Sequence, residues 1–158
     1  MEIWDAYDKD LNKIKGMTLT RGEPIPRGIF HLACDILVKH SDGSYLLMQR
    51  DPRKHYGGMW EATAGGAALQ NETSLECAIR ELNEETGIQE NDIVEVGQVK
   101  SHDTIYVEYL CVTSCDKDGI HLQDGETIAY KWVSREELFS MKDGELVTKR
   151  MLQFIESD

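Results

Sequence analysis

A chain of 158 residues, of which 41% are hydrophobic, can bury one substantial core but is short for two, so residues 1–158 are expected to form a single domain. Its 29 acidic and 17 basic residues give a formal charge of -12, which argues against a surface that binds a nucleic acid polymer. No segment has the apolar length of a signal peptide or a membrane span, so we expect a cytoplasmic protein without a membrane partner.

The first predicted elements are strands. EIWDAYD and KIKGMTLT flank the turn-prone KDLN, which predicts a small N-terminal β-hairpin within residues 1–20. After the proline-containing connection RGEPIPRG, the nearly continuous apolar run GIFHLACDILV predicts a strand covered on both faces. The turn HSDGS then joins it to YLLMQR, so the two strands are expected to pair as a hairpin. The loop DPRKHYGGMW and the short strand EATAGG follow.

The apolar period changes from two to about 3.6 in the next segment, which predicts a helix from Ser74 to Thr86. Thr73 and Glu76 have the spacing of a capping box, and Gly87 can adopt the left-handed conformation that ends a helix. The stripe that should face the core consists of Leu75, Ala78, Ile79 and Leu82.

The remaining chain alternates strands and helices. IVEVGQVKS, TIYVEYLCVTS and TIAYKWVS are rich in β-branched and aromatic residues and predict strands, while 134–141 and 145–156 predict two helices. This order favours an α/β protein, an α/β/α sandwich with a mixed sheet between helices. The four cysteines lack the spacing of a zinc site or a disulfide framework, so we expect small, reduced core residues at Cys34, Cys77, Cys111 and Cys115.

The predicted helix has a second face that is strongly acidic. Glu81, Glu84 and Glu85 lie at i, i+3 and i+4, so their carboxylates converge on one patch. Taken alone, such a cluster is more often a solvated charged face. The alternative is a site for a hard divalent cation such as Mg²⁺, which prefers oxygen ligands.

The segment GAALQNETSLECAIRELNEETGI decides between these alternatives. It resembles the Nudix box, the signature of the Nudix hydrolases, at every fixed position: Gly66, Glu72, Arg80, Glu81, Leu82, Glu84, Glu85, Gly87 and Ile88. The resemblance implies a Nudix fold and a pyrophosphohydrolase that cleaves a phosphoanhydride bond. It also implies that Glu81, Glu84 and Glu85 bind Mg²⁺, with Mn²⁺ as an alternative. Gly66, Glu72, Arg80 and Gly87 have structural roles, in which Arg80 pairs with Glu72 to hold the loop against the helix.

The general base that activates water is expected to be Glu84, Glu85 or a loop glutamate outside the box. Some members of the family use such a loop residue, and Glu126, which precedes the strand TIAYKWVS, is the candidate for it here. Its alternative interpretation is a turn residue after Asp124 and Gly125. Arg50 and Lys54 flank the tryptophan-containing loop and are expected to meet substrate phosphate, although exposed basic loop residues can equally be solvated.

Outside the box, EIWDAYDKD, TRGEPIPRGIFH and LLMQRDPRKHYGGMWEATAGG resemble the Nudix subgroup related to isopentenyl diphosphate isomerase. The isomerases use a cysteine in a Cys-x-His-Pro segment, where this chain has ATAGGAA. His31 is the only apparent counterpart of their metal-binding histidines, and we interpret it as a hydrogen-bonded strand residue. An isomerase and a catalytically silent nucleotide sensor therefore remain alternatives to the hydrolase.

The substrate and the oligomeric state are less constrained. The expected substrate is a small phosphorylated metabolite such as a nucleoside diphosphate linked to another moiety, and Tyr56, Trp60, Tyr106 and Tyr130 are either stacking surfaces or packing residues. The hairpin carries Ile3, Trp4 and Tyr7 and needs a surface to cover it. That surface belongs to the same subunit or to a symmetry mate, and we predict a homodimer.

Overall fold

The computed structural model describes residues 1–155. Nine strands, two α-helices and one 3₁₀ helix follow one another in this part of the chain. The strands are β1 (Ile3–Tyr7), β2 (Lys13–Thr20), β3 (His31–His40), β4 (Tyr45–Arg50), β5 (Trp60–Glu61), β6 (Thr63–Ala67), β7 (Val94–Lys100), β8 (Thr104–Thr113) and β9 (Thr127–Val133). The helices are α1 (Ser74–Thr86), α2 (Arg135–Ser140) and the 3₁₀ helix (Arg150–Phe154).

The central strand β3 organises a seven-stranded mixed sheet. Along its whole length, from His31 to His40, one edge pairs in parallel with β8. Its other edge is shared, because β6 pairs with 33–37 while β4 pairs only at Lys39. The predicted hairpin of β3 and β4 is therefore confirmed only next to its turn. Further along, the prediction is wrong, because β4 pairs with β5 and β9 instead of β3. The divergence of β4 from β6 leaves a gap in one edge of the sheet.

Apolar clusters cover both faces of the sheet. Even-numbered β3 residues such as Cys34 and Ile36 pack with Ala78 and Leu82 of α1. On the opposite face Leu37 packs with apolar residues of the C-terminal segment, Leu138, Met141, Leu146 and Met151. This arrangement confirms the prediction of a mixed sheet between helical layers, and it explains why β3 is apolar on both sides.

Helix α1 has the ends that its sequence predicts. The Thr73 side chain accepts a hydrogen bond from the Glu76 amide, the Glu76 carboxylate accepts one from the Thr73 amide, and Gly87 ends the helix at φ 80°. The same reciprocal cap joins Ser134 and Glu137 at the start of α2. Both termini of α1 are therefore fixed by local hydrogen bonds, which fixes where its acidic face lies.

The helix predicted over 145–156 is wrong. Its last residue lies outside the described part of the chain, and of the rest only Arg150–Phe154 is helical, as one 3₁₀ turn. The residues before it form a turn and one isolated bridge beside β5, where Trp60 donates a backbone hydrogen bond to Glu145 (2.8 Å) and accepts one from Val147 (3.0 Å). This backbone pairing buries Leu146 without a helix, so tertiary contacts override the local propensity.

The N-terminal hairpin packs on its own chain. Trp4, Ala6 and Leu19 form a small buried cluster with residues of the following connection and of β6. Asp5 is buried and accepts a hydrogen bond from the Asn71 amide (2.7 Å), which joins the hairpin to the loop before α1. Because this chain covers the apolar face of the hairpin, that face no longer supports the prediction of a homodimer.

The cysteines agree with the prediction of reduced core residues at three of the four positions. All four cysteines are free thiols, and Cys34, Cys77 and Cys111 are buried. Within residues 1–155, no helix is both long enough and apolar enough to traverse a lipid bilayer.

Candidate active site

A cleft of about 830 Å³ opens at the gap between β4 and β6. Helix α1 and strand β6 with its glycines form one wall, β4, β5 and the loop after β4 form the second, and the C-terminal segment contributes the far end. Charged side chains dominate the lining: Glu2, Arg21, Asp35, Arg50, Lys54, Glu61, Arg80, Glu81, Glu84, Glu85, Glu126 and Arg150. The cleft therefore favours a polar, charged ligand.

The glycines of β6 bring α1 close to the sheet. The Gly65 amide donates a hydrogen bond to the Glu85 carboxylate (3.2 Å). A Cβ atom on Gly66 would lie 2.7 Å from Glu81 Oε1, and one on Gly65 would collide with the Cys34 carbonyl oxygen. Glycine at position 66 therefore leaves room for the acidic face of α1 beside β6, and glycine at position 65 leaves room for the close approach of the β3 backbone.

Arg80 holds the box together. Its guanidinium binds both carboxylate oxygens of Glu72 (2.7 and 2.8 Å) and donates to the Ala67 carbonyl oxygen (3.2 Å). One of its nitrogens, Nη1, also contacts Glu81 (2.9 Å) and Glu84 (3.2 Å). Arg80 thus links the loop before α1 to two of the three clustered glutamates, and these contacts raise its pKa.

Burial and mutual repulsion disfavour the ionised forms of two glutamates in the cleft. The pKa of Glu85 is raised well above its ordinary value, first by burial and then by the neighbouring carboxylates of Glu61 and Glu81. Burial also raises the pKa of Glu81, an effect that Arg80 opposes and Glu84 reinforces. A nearby cation would relieve both effects, because an opposite charge favours ionised carboxylates.

The donor set fits a hard divalent cation. Arg80 contacts Glu81 through Oε1 and Glu84 through Oε2, so the second oxygen of each carboxylate is not engaged by Arg80. Oxygen donors of this kind are the preferred ligands of Mg²⁺. Within residues 1–155, however, no three aspartate, glutamate, histidine or cysteine side chains are already placed closely enough to hold a metal ion. Binding would therefore require small side-chain movements at the Arg80 contacts.

The opposite wall contains two ion pairs across the mouth of the gap. Arg50 of β4 pairs with Glu61 of β5, and Lys54 of the following loop pairs with Glu126. The Asp51 amide also donates to the Glu126 carbonyl oxygen (2.9 Å), which fixes the backbone of both loops. The structure therefore brings Arg50, Lys54 and Glu126 to the same cleft as the three glutamates of α1.

Sequence reasoning missed Glu61. This residue lies in the short strand β5, which precedes β6 and its glycines, and its carboxylate is close enough to raise the pKa of Glu85. The sequence signal that could have indicated it is an acidic residue at the start of EATAGG, just before the Nudix box. Without the fold, nothing showed that β5 places it opposite α1.

The far end of the cleft was also missed, since it depends on residues distant in sequence. Arg150 of the 3₁₀ helix donates through Nε to Asp35 of β3 (2.8 Å) and lies 3.5 Å from Glu108 of β8. Its guanidinium stacks on the Tyr106 ring, 3.8 Å from the ring centre. Asp35 and Glu108 are register partners on neighbouring parallel strands, so Arg150 bridges two strands of the sheet.

The aromatic residues divide into two groups. Tyr56 and Tyr106 line the cleft, whereas Trp60 and Tyr130 pack against apolar clusters. His31 lies under the N-terminal hairpin, where it stacks on Trp4 with ring centres 4.2 Å apart and contacts Thr104 Oγ1 (2.7 Å). Burial lowers its pKa, and this position outside the cleft agrees with a structural histidine.

Comparisons with known proteins give a consistent result. A family model described as "NUDIX domain" matches residues 29–154. The Nudix hydrolase lmo0368 of Listeria monocytogenes is 28% identical over 155 residues, which cover 93% of this chain and 89% of that protein. The crystal structure of DR0079 from Deinococcus radiodurans superposes with a TM-score of 0.72 at 16% identity, covering 88% of this chain and 87% of that one. The NUDIX domain of Shewanella oneidensis NrtR, solved with ADP ribose, gives 0.58 at 21% identity, covering 72% and 78%.

Proposed function

The chain belongs to the Nudix family and is a Nudix hydrolase, and from this premise we propose that it cleaves the phosphoanhydride bond of a nucleoside diphosphate linked to another moiety, using Mg²⁺ or Mn²⁺. The observation that carries the proposal is that Glu81, Glu84 and Glu85 line one charged cleft, where Glu81 and Glu85 lie against the glycines of β6. Crowded, partly desolvated carboxylates are costly for stability, and a divalent cation would offset that cost.

The proposed metal ligands are Glu81, Glu84 and Glu85. A bound divalent cation supplies positive charge against phosphate oxygens and makes water more acidic. The chain itself must hold these carboxylates in place, and Arg80 does so from the loop side through Glu72, Glu81 and Glu84. The Gly65 amide holds the Glu85 carboxylate from the sheet side.

Glu84, Glu85 and Glu126 are the proposed residues for removing a proton from the attacking water. Glu85 is the most strongly desolvated of the three, and burial raises the pKa of its carboxyl group. Such a carboxylate accepts a proton more readily near neutral pH than an exposed one does. Glu126 is exposed and paired with Lys54, so its use as a base requires Lys54 to move towards the substrate.

We assign phosphate binding to Arg50 and Lys54. Each now pairs with a carboxylate of the cleft, Glu61 and Glu126 respectively. An incoming phosphate would compete for these cations and leave the two carboxylates facing the metal side of the cleft. This exchange allows an acidic protein to accept an anionic substrate without a net positive surface.

The relatives support a small phosphorylated ligand, since the NrtR domain was solved with ADP ribose. The isomerase alternative gains no support from the cleft. The stretch from Ala62 to Ala68, where the isomerases have their catalytic cysteine, contains only alanine, threonine and glycine. The intact acidic set likewise disfavours a silent sensor, for which we would expect a lost metal ligand.

The proposal is tested by incubating the purified protein with a panel of nucleoside diphosphate sugars, dinucleoside polyphosphates, nucleoside triphosphates and isopentenyl diphosphate. Products are followed by ³¹P NMR with Mg²⁺ and with excess chelator. We expect Mg²⁺-dependent release of a nucleoside monophosphate from at least one diphosphate derivative. Conversion of isopentenyl diphosphate to its isomer, without hydrolysis of any compound, would establish the alternative instead.

A further inference from the structure

The far end of the cleft carries a second cationic group that the Nudix box does not supply. Arg150 lies on the opposite face of the sheet from α1, yet it lines the same cleft as Glu81 and Glu85. Asp35, to which it is bound, is the register partner of Gly65, the residue that holds Glu85. The backbones that carry Asp35 and Gly65 belong to neighbouring strands, so the contacts of Arg150 and of Glu85 lie on adjacent strands of one sheet.

The surroundings of Arg150 fix its orientation. Asp35 Oδ2 accepts from Nε and lies 2.8 Å from Nη2, while the face of the guanidinium rests on the Tyr106 ring. The segment before it is tied to Trp60 of β5 by two backbone hydrogen bonds. Arginine positions a ligand well when its fork is held in this way, because little side-chain entropy is left to lose on binding.

One edge of the guanidinium remains available. In residues 1–155, Nη1 of Arg150 has no hydrogen-bond partner, and the side chain keeps 26% of its surface exposed. The other basic residues around the cleft are also paired with carboxylates: Arg50, Lys54 and Arg80 with residues of the cleft, and Arg21 with Glu2 at the rim. Among these basic residues of the described chain, only Arg150 also rests on an aromatic ring of the cleft, that of Tyr106.

Two buried acidic side chains, Asp35 and Glu108, lie next to the guanidinium of Arg150 and determine how far its positive charge is neutralised. Glu108 is only 2% exposed, and its Oε1 makes no hydrogen bond in the described chain. Burial, followed by the nearby Asp35 carboxylate, raises the pKa of Glu108 to about 9. Burial and the nearby carboxylate thus favour the neutral form of Glu108, which reduces the negative charge around the guanidinium.

We propose that Arg150 binds a second anionic group of the substrate, a phosphate or a carboxylate that lies beyond the cleaved diphosphate. The inference rests on the proposed function, because it assumes that the diphosphate lies at the glutamates of α1. It narrows the substrate class to diphosphate derivatives whose second moiety is itself negatively charged. Asp35 and Glu108 act as positioning residues, since they reach such a group only through Arg150.

Two matched ligand pairs test the proposal by calorimetry in Ca²⁺, which keeps turnover low: UDP-glucuronate against UDP-glucose, and ADP-ribose 2′-phosphate against ADP-ribose. The first pair offers a carboxylate and the second a phosphate. Wild-type protein should bind the charged member of at least one pair about tenfold more tightly, the strength of one charge-assisted hydrogen bond. Arg150→Gln should remove this preference while leaving the affinity for the neutral member within about twofold.

Arg53→Gln is the matched control, because Arg53 lies outside the cleft and pairs with Asp51. If Arg150→Gln is unstable with Asp35 left unpaired, the double variant Asp35→Asn/Arg150→Gln removes both charges and should lose the preference equally. Equal affinity for both members of both pairs in the wild type, or a preference that survives in the Arg150 variants, would overturn the proposal. Hydrolysis of the same compounds in Mg²⁺ reports on the proposed function separately.

Discussion

Arg80 and Arg150 form two ionic clusters that lie in one cleft but differ in charge balance. Arg80 contacts three carboxylates, Glu72, Glu81 and Glu84, and one of them, Glu81, is close enough to Glu85 to raise its pKa. Arg150 is paired with the carboxylate of Asp35, and the raised pKa of its other acidic neighbour, Glu108, favours the neutral form of that side chain. The first cluster has an excess of negative charge and is suited to a cation, whereas the second is suited to an anion.

The two clusters also differ in how the chain builds them. All the carboxylates around Arg80 come from one loop and one helix. The capping box of α1 and the neighbouring glycines of β6 fix their positions locally. Arg150 meets Asp35 across 115 positions of sequence, through the pairing of β3 with β8 and the docking of the C-terminal segment on β5. The proposed cation site around Arg80 can therefore be built by one contiguous motif, whereas the proposed anion site at Arg150 requires the assembled sheet.

The largest difference between the clusters is expected in turnover. Glu84→Gln and Glu85→Gln should each lower kcat by about a hundredfold or more, because each removes charge from the proposed cation site without changing core volume. Glu136→Gln, on an exposed surface of α2, is the control and should leave kcat unchanged. Steady-state kinetics with a hydrolysed substrate measures this, and near-normal kcat in both cleft variants would remove the distinction between the clusters.

Substitutions at the two glycines of β6 should have different effects, one on the geometry of the glutamate cluster and the other on the stability of the fold. Gly66→Ala would place a methyl group against the flexible end of Glu81, so we expect a large loss of kcat with a nearly unchanged melting temperature. Gly65→Ala would press against the Cys34 backbone, so we expect a marked fall in melting temperature. Thermal unfolding and kinetics on both variants check this contrast, and equal melting temperatures for the two would contradict it.

A further difference concerns the pH dependence of stability at the second cluster. The raised pKa of Glu108 means that its stabilising contribution is complete below its ordinary value of 4.5 and is lost as the pH rises through about 9. The free energy of unfolding of the wild type relative to Glu108→Gln should therefore fall steadily between about pH 5 and pH 9. Urea unfolding across this range measures it, and a constant difference would show that Glu108 does not titrate differently in the folded protein.

The sequence predicted the regions whose structure is determined locally. The apolar period of α1, its cap at Thr73 and the glycine stop at Gly87 are all within one short segment, so the helix and its acidic face could be anticipated. The double-sided burial of β3 was also evident from its composition. In such segments local propensity and tertiary packing favour the same conformation.

The remainder depended on contacts that no local pattern encodes. Residues 145–149 contain a helix-compatible apolar spacing, but their backbone pairs with Trp60 instead. Glu61 and Arg150 became part of the cleft only because β4 separates from β6 and the C-terminal segment closes the far end. Asp35 was hidden in an apolar strand, where one buried charge gives no indication of its partner 115 residues away.

The most direct test of this account is a Mn²⁺ titration followed by electron paramagnetic resonance, which detects free Mn²⁺ and needs no knowledge of the substrate. The wild type and Arg150→Gln should bind Mn²⁺ with the same affinity, while Glu85→Gln should bind it at least about tenfold more weakly, because a carboxylate ligand is lost. Unchanged Mn²⁺ binding by a folded Glu85→Gln protein would contradict the assignment of the glutamate cluster as the metal site.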